Sequence, residues 1–398
     1  MHLSERLRTL PPYLVLEIAN RANALRREGV DVINLSVGSP DFPPDNRIVE
    51  EAARVLGMDG THGYLVGRGH PEFRRAAAAY MGRRFGVEID PETQVISLLG
   101  SKEGLAHLPI ALCDPGDIGA FPDPGYLIYT PALHLAGAVP IPYPLDPARG
   151  WSPDWEQFEE TLSDALAGER HFRILILNYP HNPTAATADA DDFEQAVLWG
   201  RSRGAVVLND NAYADIGFDG YRPGSILQVP ASKGGAQGSG VVEFHSLSKT
   251  FSMAGWRCAF AVGDPELISA MARVKSFYDT GSLEAIQRAA AVALDHADEI
   301  ARTVSERYQA RRDMILPALQ AIGLTADTPR GTIYIWAGLP DGRKDDLAFC
   351  SELLEGAHVA LSPGSAFGSG GEGYMRFSLT APEERLEEAV TRLKRFGG

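Results

Sequence analysis

The run Arg173-Ile174-Leu175-Ile176-Leu177 carries no polar residue after its first position. A strand with one face in water alternates polar and apolar residues. An unbroken apolar run belongs to a strand covered on both faces, the usual state in a parallel sheet flanked by helices. Gln94 to Leu99, Ile118 to Phe121, Ala205 to Asn209 and Val241 to His245 are short, largely apolar runs of the same kind, and each hands over to a turn rich in Gly, Pro, Asn, Asp or Ser. Helical patterns stand between them, among them an alanine-rich segment ending near Phe85 and a segment from about Lys102 to Leu112. This alternation predicts an α/β fold with a mostly parallel, helix-covered sheet. Such sheets bind ligands beyond the carboxyl ends of their strands, so the handover turns are where chemistry is expected.

The richest of those turns is Ser246-Leu247-Ser248-Lys249-Thr250-Phe251-Ser252-Met253-Ala254-Gly255-Trp256-Arg257. Lys249 can hold a carbonyl by its carbon once burial or a neighbouring cation depresses its pKa. Ser246, Ser248 and Arg257 can hold a phosphate, with the guanidinium supplying paired donors. The stretch therefore suits a Schiff base and a phosphate together. Ser-Leu-Ser-Lys also fits S-x-x-K of penicillin-binding enzymes, but Lys249-Thr250 continues into Phe251, so no K-T-G is present. A serine-rich turn with a lysine snorkelling to solvent is the plain alternative. A second anion site follows from Gly100-Ser101-Lys102-Glu103-Gly104, where strand, glycine turn and helix start expose unpaired N–H groups, at Ser101 and Lys102 above all.

Composition excludes more than it selects. A formal charge of −15 over 398 residues argues against a nucleic-acid partner. No apolar stretch reaches the length of a membrane span and the first residues lack a signal-peptide pattern, so a cytoplasmic protein is expected. Cys113, Cys258 and Cys350 are widely spaced, the ten histidines show no ligand spacing, and neither a disulfide framework nor a metal site is expected. Gly368 to Gly373 fits G-x-G-x-x-G but precedes a strand instead of opening a helix, which removes the dinucleotide reading. Further expectations are a helix from Tyr13 to Arg27 after a break at Pro11-Pro12, a strand over Val32 to Val37, an acidic helix within Trp151 to Ala167, and a flexible surface linker over 225–240. A long helical pattern from Leu283 to Ile322 is expected to break near Pro317. Strands are expected at Thr332 to Trp336 and Met375 to Leu379, with a helix at Leu347 to Glu355 and a last amphipathic helix.

Taken together, these motifs resemble the pyridoxal-phosphate-dependent class I/II aminotransferases of the aspartate aminotransferase fold. Within that family the segments Leu35 to Asp41, Gly100 to Gly104, Asn178-Tyr179-Pro180 and Phe244 to Phe251 resemble the LL-diaminopimelate aminotransferases and their alanine- or glutamate-using relatives. The resemblance implies pyridoxal 5'-phosphate as cofactor, Lys249 as its lysine, and fold type I with a large domain at 47–284 and a small domain built from 1–46 and 285–398. It implies that Asp210 pairs with the pyridine nitrogen, Tyr213 and Asn182 with the phenolic oxygen, and that Tyr126 stacks on the ring. It further implies that Gly38, Asn182 and Arg376 hold the substrate carboxylate, and that Tyr64 crosses a homodimer interface to the partner's phosphate. Lys102 is the one cation singled out for a second carboxylate. The family's N-P-T-G motif reads Asn182-Pro183-Thr184-Ala185 here, which puts the local turn in question. The implied reaction is ping-pong amino transfer between an L-amino acid and a 2-oxo acid, with glutamate/2-oxoglutarate as one pair and LL-diaminopimelate or alanine as the other. A carbon–sulfur lyase and a non-enzymatic sensor domain of the same fold are the alternatives.

Overall fold

A computed structural model of the chain describes residues 3–10, 15–65, 67–166, 170–232 and 238–397. The strands in chain order are β1 Ile33–Asn34, β2 Val95–Leu98, β3 Ile118–Asp123, β4 Val139–Asp146, β5 Ser152–Pro153, β6 Phe172–Leu177, β7 Val206–Asn211, β8 Val241–Ser246, β9 Ala259–Gly263, β10 Tyr334–Gly338, β11 Val359–Ala360, β12 Ser362–Pro363 and β13 Tyr374–Ser378. Eight of them form one sheet in the order β2-β9-β8-β7-β6-β3-β4-β5. β3, β4, β6, β7 and β8 pair in parallel, and β9 runs against both of its neighbours.

The apolar run that predicted this sheet is used on both sides. Ile174 and Ile176 join the cluster under Leu105, Leu108, Ile268 and Met271, while Leu175 and Leu177 join the opposite cluster with Phe73, Phe193 and Val197. Helices cover each face, as continuous apolar strands require. The helix Pro71–Phe85 opens with proline at its first position and closes at Gly86, whose φ of 67° is the left-handed stop that glycine adopts without strain. A three-stranded antiparallel sheet, β10-β13-β12, and the short parallel pair β1–β11 form a second layer. Buried Arg311 ties that layer to the N-terminal loop, reaching Asp41, Glu383 and the Leu379 carbonyl.

Several expectations need correction. The strand at Val32–Val37 shortens to β1, because Asn34 Oδ1 accepts from both the Ser36 amide and its hydroxyl and turns the chain. Pro317 sits inside the helix Ala297–Ala321, and the long pattern breaks instead at His296, whose ψ of 17° leaves the helix. One missing N–H near a helix end is outweighed there by Ile315, Leu316, Ala318 and Leu319, all buried. The segment read as a linker contains the turns Ile226–Gln228 and Pro230–Ser232, which bury Ile226, Leu227, Ala231 and Ser232. Its polar residues are consumed internally: Ser225 and the Ile226 amide donate to buried Glu243. Residues 233–237 of that linker, the break at Pro11-Pro12, Tyr13 at the expected helix start and Ala167 lie outside the described residues. The three cysteines are free and buried.

Candidate active site

Beyond the carboxyl ends of the parallel strands lies a cavity of about 490 Å³. β2 leads to Ser101 and Lys102, β3 to Tyr126, β6 to Asn178 and Asn182, β7 to Asp210 and Tyr213, and β8 to Ser246, Ser248 and Lys249; all of these line it. Arg257, just ahead of the reversed β9, lines the same end. A larger cleft of about 680 Å³ runs past Arg84 and Asp215. It gathers none of these groups, and Arg84 is already spent on Asp215 and two backbone carbonyls.

One end of the cavity is built for an anion. The helix Ser101–Leu112 starts there with no side-chain cap, which leaves its first N–H groups free of intrahelical partners. Gly100 before it has φ 90°, and a Cβ at that position would lie 2.2 Å from Arg257 Nη2, so only glycine lets the guanidinium approach. Arg257, itself left-handed at φ 55°, donates to Ala254 O at 2.7 Å and Leu99 O at 3.2 Å. Ser246 Oγ accepts from the Ser248 amide at 3.2 Å. Lys102 stands in the field of Arg257, and partial burial together with that cation lowers its pKa. Behind the helix start, Glu103 receives the Leu99 amide and binds buried Lys275 at 2.7 Å. Glu103, His107 and Asp279 converge in the geometry of a metal cluster, but the Lys275 ammonium already bridges the two carboxylates.

At the centre, the Lys249 ammonium donates to the Gly38 carbonyl. Burial, helped by Arg376 and Arg257, lowers its pKa, the direction a nucleophilic amine requires. Asp210 lies within β7, one residue from its end, rather than beyond it. Tyr129 donates to its Oδ2 at 3.1 Å, and Oδ1 is buried without a partner. Burial raises this carboxyl from 3.8 to about 6, against the pull of Tyr129, Lys249 and His245. An orphaned carboxylate oxygen facing a cavity is what a protonated pyridine nitrogen would complete, and with the anion cradle opposite it the residues fit pyridoxal phosphate.

From the second layer Tyr334 lines the cavity, and Arg376 stands behind the lining residue Asn182. Buried Arg376 on β13 donates to Asn182 Oδ1 at 2.7 Å and to Ser36 O at 2.8 Å, and its Nε has no partner. Its guanidinium carbon lies over the rings of Tyr334 and Phe367, at 4.1 and 4.6 Å from their centroids. Asn178 fixes the neighbourhood by donating to Asp210 O at 2.6 Å and accepting from the Asn182 amide at 2.9 Å. Ala185 takes φ 61°, the left-handed conformation its glycine-like position demands. Tyr126 packs edge-on against Tyr129. Tyr64 is 86% exposed and outside this cavity in the single chain. Sequence reasoning missed Tyr334, which lines the cavity, receives the Tyr213 hydroxyl at 3.3 Å and occupies the space a Cβ on Gly38 would need. It also missed Tyr129 and the role of Asn178. Only the tyrosine's place in an apolar run, or the asparagine's place in the Asn178-Tyr179-Pro180 turn, could have drawn attention to them.

A lysine-centred, phosphate-cradling cleft at the strand ends of an α/β sheet defines a class, and the chain belongs to it: it matches the class I and II aminotransferase family over residues 30–393. It is a pyridoxal-phosphate-dependent aminotransferase. An LL-diaminopimelate aminotransferase of Desulforudis audaxviator (strain MP104C) is 42% identical over 391 residues, covering 98% of this chain and 97% of that protein. Among solved structures, substrate-bound BacF from Bacillus subtilis superposes with a TM-score of 0.92 at 33% identity, covering 100% of this chain and 98% of that one. A probable N-succinyldiaminopimelate aminotransferase from Thermus thermophilus gives 0.88 at 35% identity, covering 96% and 100%.

Proposed function

We propose that this aminotransferase moves an amino group between glutamate/2-oxoglutarate and LL-diaminopimelate. The observation that carries the substrate choice is the full-length likeness to proteins named for that substrate, at 42% and 40% identity. Pyridoxal phosphate, when bound, supplies an electron sink for the substrate's Cα. The chain's own part is positional and protonic. Ser101, Lys102, Ser246, Ser248 and Arg257 hold the phosphate, with Tyr126 against the ring. Asp210 Oδ1 would hold a proton on the pyridine nitrogen, and Tyr213 and Asn182 would donate to the phenolic oxygen. Arg376, with Asn182 and the Gly38 loop, would hold the α-carboxylate and so fix the pose of the substrate's Cα. The Lys249 amine then takes the proton from Cα. The unpartnered Arg376 Nε and Asp210 Oδ1 support these assignments, because each is a buried group awaiting a partner.

In this reading the enzyme is a homodimer with Tyr64 completing the partner's phosphate site. Support comes from the exposed aromatics Tyr64, Phe277 and Tyr278, which a lone chain would leave in water. It works in the cytoplasm, where three buried free thiols persist. The chain divides into a large part at 47–284 and a small part formed by 1–46 and 285–398. The decisive experiment loads the enzyme with pyridoxamine phosphate, offers 2-oxo acids one at a time, and follows return of the aldehyde spectrum. 2-Oxoglutarate should restore it far faster than a bulky aromatic oxo acid, and equal rates would refute the substrate assignment. Release of pyruvate and ammonia from a sulfur-containing amino acid without added oxo acid would instead reveal elimination.

A further inference from the structure

Tyr334 stands where three parts of the site meet. It lies on β10, 3% exposed, and lines the cavity that holds Lys249. Its hydroxyl receives the Tyr213 hydroxyl at 3.3 Å. Its ring face lies 4.1 Å from the Arg376 guanidinium carbon. A Cβ on Gly38 would come within 1.9 Å of its oxygen, so the backbone of the substrate-side loop is packed directly on this phenol.

A phenol has one proton to give. On the reading above, on which this inference rests, Tyr213 gives its proton to the cofactor's phenolic oxygen. It can then no longer donate to Tyr334, and the contact survives only if Tyr334 becomes the donor. The two environments favour that reversal. Burial alone would raise the Tyr334 phenol, but the cations of Arg376 and Lys249, with a further contribution from the Tyr213 hydrogen bond, hold it below its usual value. Burial pushes Tyr213 well up. The more acidic phenol is the better donor, and a donor behind Tyr213 polarises it and strengthens what Tyr213 itself donates.

We infer that Tyr334 is a positioning residue with two separable parts: a hydroxyl that backs Tyr213's bond to the phenolic oxygen, and a ring over which the Arg376 guanidinium is seated for the carboxylate. The two parts give different readouts. Holding the phenolic oxygen more firmly favours loss of the proton shared around it, so the hydroxyl sets the pH midpoint of the bound cofactor's absorbance change. The ring sets carboxylate affinity.

The test uses wild-type holoenzyme and the variants Tyr213→Phe, Tyr334→Phe and Tyr334→Leu. Each is titrated spectrally against pH and assayed for binding of glutarate, a carboxylate that cannot react. Tyr213→Phe should raise the midpoint most. Tyr334→Phe should raise it by about half a pH unit, the scale of one modest hydrogen bond, with glutarate affinity within about twofold of wild type. Tyr334→Leu should raise the midpoint equally and weaken glutarate by about fivefold, as loss of a cation–π contact does. An unmoved midpoint in Tyr334→Phe alongside a raised one in Tyr213→Phe overturns the inference. Equal loss of glutarate binding in Tyr334→Phe and Tyr334→Leu overturns the division of roles. An unmoved midpoint in Tyr213→Phe overturns the underlying assignment of Tyr213.

Discussion

Asp210→Asn in the cofactor-free protein separates the carboxylate's electrostatics from its role in turnover. Burial holds Asp210 at about 6 in the folded chain against 3.8 when exposed. The native state therefore binds a proton that the unfolded chain has already lost, and stability falls as pH rises through that window. At 1.36 kcal/mol per unit the full loss is about 3 kcal/mol, complete above about pH 7, with about 2 kcal/mol of it falling between about pH 4.5 and pH 7.5. Asparagine keeps the shape and accepts the Tyr129 hydroxyl but does not titrate. Whatever fixed cost its unpaired amide brings, the stability difference between the two apoproteins should change with pH by that amount, in favour of the variant at high pH. Urea unfolding at a series of pH values measures it. Adding pyridoxal phosphate should reverse the preference, because a protonated ring nitrogen pairs with the carboxylate and not with the amide. A difference that stays flat with pH, or that favours wild-type apoprotein as pH rises, would refute the reasoning.

Lys249→Ala should abolish transamination while pyridoxal phosphate still binds through the phosphate cradle; borohydride should then fail to fix the cofactor, and near wild-type turnover would remove Lys249 from the mechanism. Arg376→Lys keeps the charge but loses the planar fork seated over Tyr334 and Phe367. KM for every 2-oxo acid should rise about 30-fold, about 2 kcal/mol, and steady-state kinetics over several substrates checks that the rise is uniform. Ala185→Gly relieves a left-handed alanine at φ 61° and should stabilise the protein by about 0.5–1 kcal/mol, read as a small rise in Tm.

The sheet was readable because burial on both faces writes itself into consecutive residues, as in Ile174 to Leu177, and because polar residues at strand ends have nowhere else to point. The residues expected to hold a phosphate stand near strand ends, Ser101 and Lys102 after β2, Ser246 and Ser248 at the end of β8 and Arg257 just ahead of β9, and the structure brings them to one cavity. Tyr334 was not readable, since Thr332 to Trp336 is buried throughout and no alternation reveals which side chain meets the cavity. Its partners Gly38 and Tyr213 lie far off in the chain. Tyr129 is hidden in the same way behind Asp210. The segment 225–232 misled because serines and glutamines look like solvent-facing residues, whereas here the Ser225 hydroxyl donates to the buried Glu243 carboxylate and Gln228 accepts from the Ser225 amide and donates to Phe85 O. Composition reports polarity, not where the polar group's partner sits.

The order of the strands also governs when the site comes into being. Among the described strands β2 sits at the sheet edge and pairs with β9, so Val95–Leu98 has no strand partner until Ala259–Gly263 has been made. A chain emerging from the ribosome must carry β2 unpaired across that whole interval, the kind of long-range pairing that is slow and exposes apolar edge. When β9 does insert, it brings Arg257 beside Gly100 in the same step and completes the anion cradle. Arg376 comes more than a hundred residues later. On the roles proposed above, the protein would acquire during synthesis the means to retain its cofactor before the means to choose a substrate, and cofactor present in the cell would reward the correctly threaded sheet before the chain is finished.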